Sequence, residues 1–541
     1  MHFKKGRSPF SVAETACKRT VYSVIVAVWR RIHMKKNTFL KGAFAVSVGG
    51  ILAKILGAFY RIPLTNLLGG EGMGIYQMVY PFYCLLLTVS ATGIPSALAR
   101  VVAGAEAEGK DTAATLRRAL ELFAAIGVCG SVVMYLFAPV MSGIQREAGA
   151  VAAYRALAPS VALVSVISCF RGWFQGRGKF YPTAASEVIE QAAKTGFGLY
   201  FAYTFRENLY LAVAGCLLAV TIGEAVACAY MVMLAYTGRG RKPLYRDRSA
   251  SSAAVLLRVT VPVTVTAAIL PFSNVIDSVL ITRLLSRYAA NATALYGLYS
   301  GAAASLAGLP ASVCYGLAAA SIPAVSAHYA RGEVREGQKS ILFSLKCTLF
   351  FAVPASAFLF AFAPQICVFV FPSVTGANAE MLAKLLRILA PSSLFLALTQ
   401  TLSACLTATG KAKISALAMG AAVSVKLGLQ AILLLSPKIS VYGAAYACTA
   451  CYFVALLVDL YYSITDGKFR VRALGYAAVV AAISVSAVAA AYLPIKIHVL
   501  AAAGAACGVY LALSALLGVF NVRKFRSLWR KKYDHGRRTW L

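Results

Sequence analysis

The sequence predicts an all-α polytopic membrane protein with about fourteen transmembrane helices, two parallel six-helix lobes followed by two C-terminal helices. Three observations predict it. Apolar runs of spanning length recur along the chain, basic residues gather in every second loop, and the first half of the chain matches the second in order.

Composition sets the class. The chain has 541 residues, of which 60% are hydrophobic and 13% charged, with a mean hydropathy of +0.72. A soluble domain carries about a quarter charged residues. Runs of about 20 apolar residues, each able to cross about 30 Å of hydrocarbon as a helix, recur from Phe39 to Phe520. They do not alternate, so they are not barrel strands, and spanning backbone must satisfy its own hydrogen bonds, which leaves helices. The net charge of +34 sits in short clusters between these runs rather than on a basic face. It reads as loop retention on the cytoplasmic side, and no nucleic-acid partner is expected. The cysteines lie mostly inside apolar runs and indicate neither a metal site nor a disulfide framework. Neither a phosphate-cradling loop nor a catalytic set is visible, so no enzyme activity and no cofactor are expected.

Each element follows. Residues 1–33 form an N-terminal extension: Lys4, Lys5 and Arg7 precede an apolar stretch, Val21 to Trp29, too short to span. Met34, with Lys35 and Lys36 directly before the first long run, is the expected functional start. The predicted spans are 39–62, 74–101, 117–141, 154–175, 181–204 and 209–236 in an N-lobe (34–237). A basic cytoplasmic linker (238–252) follows. Spans 253–284, 295–327, 341–371, 381–408, 414–435 and 440–464 make a C-lobe (253–465). Two more, 472–494 and 497–520, occupy 466–520, and 521–541 is a basic cytoplasmic tail. The loops fix the orientation. Even loops carry clusters such as Arg239, Arg241, Lys242, Arg246 and Arg248, whereas the odd loops carry only Arg146, Arg206, Arg287, Lys438 and Lys496. The alternation never inverts, which predicts both termini in the cytoplasm.

The repeat is a parallel one. Arg155-Ala-Leu-Ala-Pro-Ser160 pairs with Arg387-Ile-Leu-Ala-Pro-Ser392, and the same offset sets Gly178-Lys179 on Gly410-Lys411 and Lys194 on Lys426. Phe137-Ala-Pro139 matches Phe362-Ala-Pro364, and Ile94-Pro95 matches Ile322-Pro323. The offset equals six spans, an even number, so both copies run the same way through the membrane. Transporters built on such repeats carry substrate between the halves. Prolines inside the runs, among them Pro63, Pro81, Pro95, Pro262, Pro271, Pro310 and Pro354, are candidate bends.

Ionisable residues inside spans mark candidate sites, because a charge at the bilayer centre costs about 2.5–3.5 kcal/mol even on the lenient insertion scale. Lys54 and Arg61 share one face of the first span, with no acid between them. Arg61 is near enough to the end to snorkel. Glu187, Glu190 and Lys194 share a face of the fifth span, where Lys194 can pair with Glu190. Lys426, its repeat mate, has no acid in its own helix, so something else must offset it. Lys54, Arg61, Lys194 and Lys426 are the candidate substrate-binding residues, and Asp277, Glu187, Glu190 and Glu224 the candidate ion-coupling ones. Arg283, Asp459 and Arg100 fall near span ends and read as interfacial. Cations on facing lobes point to an anionic substrate such as a phosphate or pyrophosphate.

The opening stretch, Lys41 to Leu64 (KGAFAVSVGGILAKILGAFYRIPL), followed by Gly69-Gly-Glu-Gly-Met-Gly-Ile-Tyr-Gln77 and Gly93-Ile-Pro-Ser96, resembles the stage V sporulation protein B family. That family belongs to the multidrug/oligosaccharidyl-lipid/polysaccharide exporter superfamily, with the lipid II flippases. The resemblance implies two six-helix lobes and export of an undecaprenyl-linked sugar, a peptidoglycan precursor or other cell-wall polysaccharide. It also implies membrane lipids and cell-wall synthesis proteins as partners. In the flippases a first-helix arginine lines a cationic cavity, and Lys54 takes that place here. Their arginine in helix 8 falls near Ser305, which is uncharged. Their two extra C-terminal helices hold the lipid tail, a role implied for spans 13 and 14. Two rivals stay open: a cation or drug antiporter of the same fold, and a non-transporting scaffold for cell-wall synthesis.

Overall fold

The computed structural model of the chain describes residues 38–108, 112–237, 253–464, 467–492 and 499–517. The expected N-terminal extension, the linker and the basic tail lie outside the described residues. What is described is helical throughout. The helices are α1 (Thr38–Ala91), α2 (Ile94–Ala107), α3 (Thr112–Ile144), α4 (Ala150–Gly176), α5 (Tyr181–Thr204) and α6 (Leu209–Thr237), then α7 (Ala253–Leu285) and α8 (Ala292–Tyr296). A π-helical segment, Gly297–Ala303, leads into α9 (Ala304–Ala330). There follow α10 (Val334–Ala361), α11 (Ala363–Val370), α12 (Ala377–Ala408), α13 (Ala412–Leu433), α14 (Tyr442–Ser463), α15 (Gly467–Tyr492) and α16 (Val499–Leu516). Among the described residues, ten helices are long and apolar enough to cross a membrane. This is a multi-pass membrane protein.

Three boundaries differ from the sequence reading, one of them being the expected span 341–371, which is cut at Phe362 between α10 and α11. A loop is expected between 62 and 74, yet the chain stays helical from Thr38 to Ala91 and breaks only at Gly69, whose φ of 66° is left-handed. Glycine adopts that region without a Cβ penalty. Leu64, Leu68 and Met73 are buried on either side, so packing holds both flanks helical across the break. The expected second span, 74–101, is cut at Thr92–Gly93, where Pro95 sits in the first turn of α2. Proline fits a helix start, where its missing N–H is not needed. The same device opens α5 and α11.

Helices of the first half of the chain pack on one another, chiefly α3 on α4 and α6 on α4 and α5. In the second half, α12 packs against α9, α10 and α14. Small residues set the spacing. A Cβ on Gly172 would meet Pro95 of α2, and one on Gly223 would meet the Glu190 carbonyl of α5. Close approach through small residues drives helix association in lipid, where burial from water contributes little. α15 packs on α10 and α16 on α15.

Candidate functional site

Three features lie where the halves of the chain meet or where ionisable groups are buried. The first is a polar seam at one end of the bundle. α1 beyond Gly69 runs against α8 and the π segment so closely that a Cβ on Gly297 would strike the Gly70 carbonyl oxygen, and one on Gly74 the Thr293 carbonyl. Side chains stitch this contact. Asn66 Nδ2 donates to the Val370 carbonyl at 2.8 Å, and Ser373 Oγ donates to Asn66 Oδ1 at 2.9 Å. Gln77 Nε2 donates to the Ser300 carbonyl at 3.0 Å. Thr293 Oγ1 donates to Glu147 Oε2 at 2.7 Å, and Gln145 Nε2 to Ser278 Oγ at 3.0 Å. Tyr154, buried, fixes Gln145 by donating to its Oε1 at 2.8 Å.

Just inside the seam lies Arg61. It is only partly buried, and its Nη1 donates to Ser305 Oγ on α9 at 3.1 Å, from one half of the chain to the other. Among the described residues no carboxylate stands within salt-bridge range of it. Lys54 lies on the same helix, but its side chain is outside the described residues.

The third feature is a set of buried charges. In the first half, the expected pairing of Lys194 with Glu190 does not form. Glu190 Oε2 accepts from Arg171 Nη2 at 2.9 Å, and Arg171 Nε donates to Ser186 Oγ at 2.9 Å. The rigid planar guanidinium of Arg171 holds the Glu190 carboxylate and the Ser186 hydroxyl in one fixed geometry, which a lysine's single ammonium does not preorganise. Lys194, buried, lies instead over the rings of Tyr60 and Tyr80, 5.8 and 5.2 Å from the centroids, with its Nζ 3.5 Å from the Tyr80 hydroxyl. Such cation–π contacts offset part of the cost of burying an ammonium. Glu224 is 4% exposed. Tyr83 donates to its Oε1 at 3.3 Å, and its Oε2 has no partner among the described residues. The Glu187 carboxylate faces α1 at Gly50.

In the second half, what offsets Lys426 is Asp277. The Lys426 ammonium on α13 donates to Asp277 Oδ2 on α7, with both residues buried. The structure thus joins two residues that the sequence sets in separate roles, one as a substrate cation and one as an ion-coupling acid. Asp459, read as interfacial, is buried, and Ser403 Oγ donates to its Oδ2 at 2.6 Å. Sequence reasoning passed over Arg171, although a lone cation in an apolar run is the same signal that singles out Lys426. It also passed over the Cys448-Thr-Ala-Cys451 spacing on α14, whose two thiols are free.

The described C-terminal helices frame apolar hollows. One of about 800 Å3 lies between α10, α12 and α15 and is lined by residues such as Val353, Phe360, Pro391, Phe395, Val485 and Val488. A smaller one of about 290 Å3, between α10, α15 and α16, includes Phe351, Pro354, Ala503 and Tyr510.

The family described as polysaccharide biosynthesis protein matches residues 39–328, more than half of the chain. The chain belongs to that family. A second family, MatE, matches residues 262–432. Among curated relatives of the family member described here, "Stage V sporulation protein B" of Bacillus subtilis (strain 168) is 26% identical over 447 residues, covering 80% of this chain and 85% of that protein. "Lipid II flippase MurJ" of the same organism is 22% identical over 451 residues, covering 78% and 81%. Among solved structures, one of lipid II flippase MurJ in an inward closed conformation superposes with a TM-score of 0.67 at 16% identity, over 87% of this chain and 98% of that one. An inward-facing multidrug resistance MATE family transporter of the MOP superfamily gives 0.64 at 18% identity, over 78% and 95%. The family member has the MATE/MurJ-like fold.

Proposed function

We propose that this protein is a flippase that moves an undecaprenyl-linked anionic oligosaccharide, a peptidoglycan precursor or related cell-wall polysaccharide, across the bacterial cytoplasmic membrane by alternating access. Arg61 is the observation that carries it. A part-buried cation at the meeting of the two halves, with no described carboxylate to neutralise it, is a receptor for an anion. A headgroup pyrophosphate supplies one, and guanidinium binds phosphate oxygens in pairs. Lys54, on the same helix, is the second proposed ligand. Lys194 and Lys426, both buried, take supporting roles at most in this reading.

The remaining parts fit it. Most of the predicted spans overlie a described helix, the first two sharing α1 and the ninth divided between α10 and α11, an arrangement compatible with fourteen spans in two six-helix lobes plus two. The seam joins the ends that face the odd loops. With the termini in the cytoplasm, those ends face outward, so the seam is the outer seal of a state that loads from the cytoplasm. The apolar hollows beside α15 and α16 have the chemistry to hold a polyprenyl tail while the headgroup passes. The relatives named for a flippase and for sporulation support a cell-wall substrate.

Translocation of a fluorescent lipid-linked sugar pyrophosphate, measured in proteoliposomes, tests the reading. Arg61→Glu abolishes it and leaves the protein inserted. Normal translocation by that variant overturns it. A MATE-type antiporter of cations is the second reading, favoured by the MatE match and by the buried carboxylate of Glu224. It predicts dye efflux that Glu224→Gln abolishes, which the flippase reading does not.

A further inference from the structure

Asp277 and Lys426, buried and paired, have further buried polar groups around them. Ser273 precedes Asp277 by one helical turn on the same face of α7 and is 1% exposed. Gln430 follows Lys426 by one turn on α13, is fully buried, and has its side chain beside Asp277. Asp277 Oδ1 and Ser273 Oγ are buried without a hydrogen-bond partner among the described residues, and the Gln430 amide leans on Asp277 without completing a well-formed hydrogen bond. A carboxylate, a hydroxyl and an amide oxygen make an all-oxygen donor set of the kind that hard cations take. Cys448 and Cys451 of α14 lie near the ammonium, and Tyr299, near Asp277, donates to the Ala444 carbonyl at 3.4 Å.

We propose that Lys426 is a tethered counter-cation. Its ammonium occupies the place of a monovalent metal ion beside Asp277, so the second half of the protein stays neutral in its interior without binding Na+ or K+. A substrate ligand would be a cation free to meet a phosphate, and Lys426 is already committed to a carboxylate. Asp277 accordingly is not a site of ion exchange while Lys426 is present. Removing the lysine side chain empties the place without disturbing the oxygen donors and exposes a latent monovalent-cation site made of Asp277, Ser273 and Gln430.

The test reads stability and needs no transport assay, so its failure leaves the flippase reading standing. Thermal unfolding of the purified full-length protein is compared in NaCl, KCl and choline chloride at equal ionic strength. The wild type shows the same Tm in all three. Lys426→Ala has a lower Tm in choline chloride and recovers at least half of the loss, saturably, in NaCl or KCl. The double variant Asp277→Asn/Lys426→Ala shows no such recovery, because the carboxylate is gone. A wild type stabilised by Na+ or K+ over choline overturns the proposal, as does a folded Lys426→Ala without metal-selective recovery. Should Lys426→Ala fold in no salt, Lys426→Gln replaces it and is judged by the same criterion. A failure of that variant too, in every salt, counts against a latent site.

Discussion

At the scale of single residues, the buried cations divide by what surrounds them. Lys426 has a carboxylate, Arg171 has Glu190 and Ser186, and Lys194 has two tyrosine rings. Arg61 has a serine hydroxyl, which is a weak partner to surrender when an anion arrives. Arg61→Lys is therefore expected to keep part of the translocation rate, since charge remains but the paired geometry is lost, whereas Ser305→Ala leaves the rate near normal. A rate for Arg61→Lys as low as that of Arg61→Glu would show that charge is not what Arg61 provides. The Arg171–Glu190 pair behaves differently. Its side chains are 15% and 18% exposed, and breaking such a pair leaves one charge stranded at a cost of order 2 kcal/mol after allowance for residual solvent. Glu190→Gln and Arg171→Met each lower Tm, and the double variant loses less than the sum of the two. Strict additivity in that cycle would mean the pair is not coupled. The sequence shows that Lys426 needs an acid, because none lies within its helix. It does not show which one, since Asp277 is on α7 and only the packing of α7 on α13 brings them together. It misplaces the partner of Lys194 for the converse reason. Glu190 is within reach along the helix, and a competitor on α4 takes it.

At the scale of elements, hydropathy locates apolar segments well but is blind to breaks within them. The run that opens near residue 295 looks like one span. In the structure it begins as a short α-helix, passes through a π-helical turn at Gly297–Ala303 and continues as α9. π-turns insert one residue per turn and recur at functional positions, and this one lies where α1 crosses to the second half. Apolar length carries no information about that crossing. What the sequence does carry is Gly297 opposite Gly70 and Gly74, three residues without side chains at the point of nearest approach. Gly297→Val is expected to force α1 and the π segment apart. Spin labels at Asn66 and Ser373 then report longer distances than in the otherwise unchanged protein, with Gly297→Ser in between. Unchanged distances in the valine variant would mean that the seam yields elsewhere and that the glycines do not set it.

At the scale of the whole molecule, the proposal requires that the seam open once in every cycle. Orientation comes first. Cysteines placed at Gly69 and Asn291 should react with an impermeant thiol reagent added to intact cells, and cysteines at Arg241 and Lys468 should not. Labelling at Arg241 would put the seam on the cytoplasmic side and reverse the direction assigned to the state described here. The driving force then follows from charge. A pyrophosphate headgroup of about two negative charges gains about 4.6 kcal/mol per 100 mV on moving outward across an inside-negative membrane, if it crosses the full potential. That is enough to drive export without an ion gradient, but it acts only if the halves separate on the outside. Asn66 and Ser373 touch across the seam through a 2.9 Å hydrogen bond, so cysteines at both positions, in a background whose native cysteines are replaced, lie within reach of a short bifunctional thiol reagent. Crosslinking them is expected to stop translocation almost completely, and cleaving the linker to restore it. Each single cysteine treated with the same reagent should retain most of its activity, which separates a lock from simple damage at the site. A Gly69→Cys/Ser373→Cys pair, one turn displaced from the contact, should crosslink less and inhibit less. Full translocation by a completely crosslinked protein would show that substrate does not leave through the seam. It would favour a scaffold role, in which nothing passes between the halves.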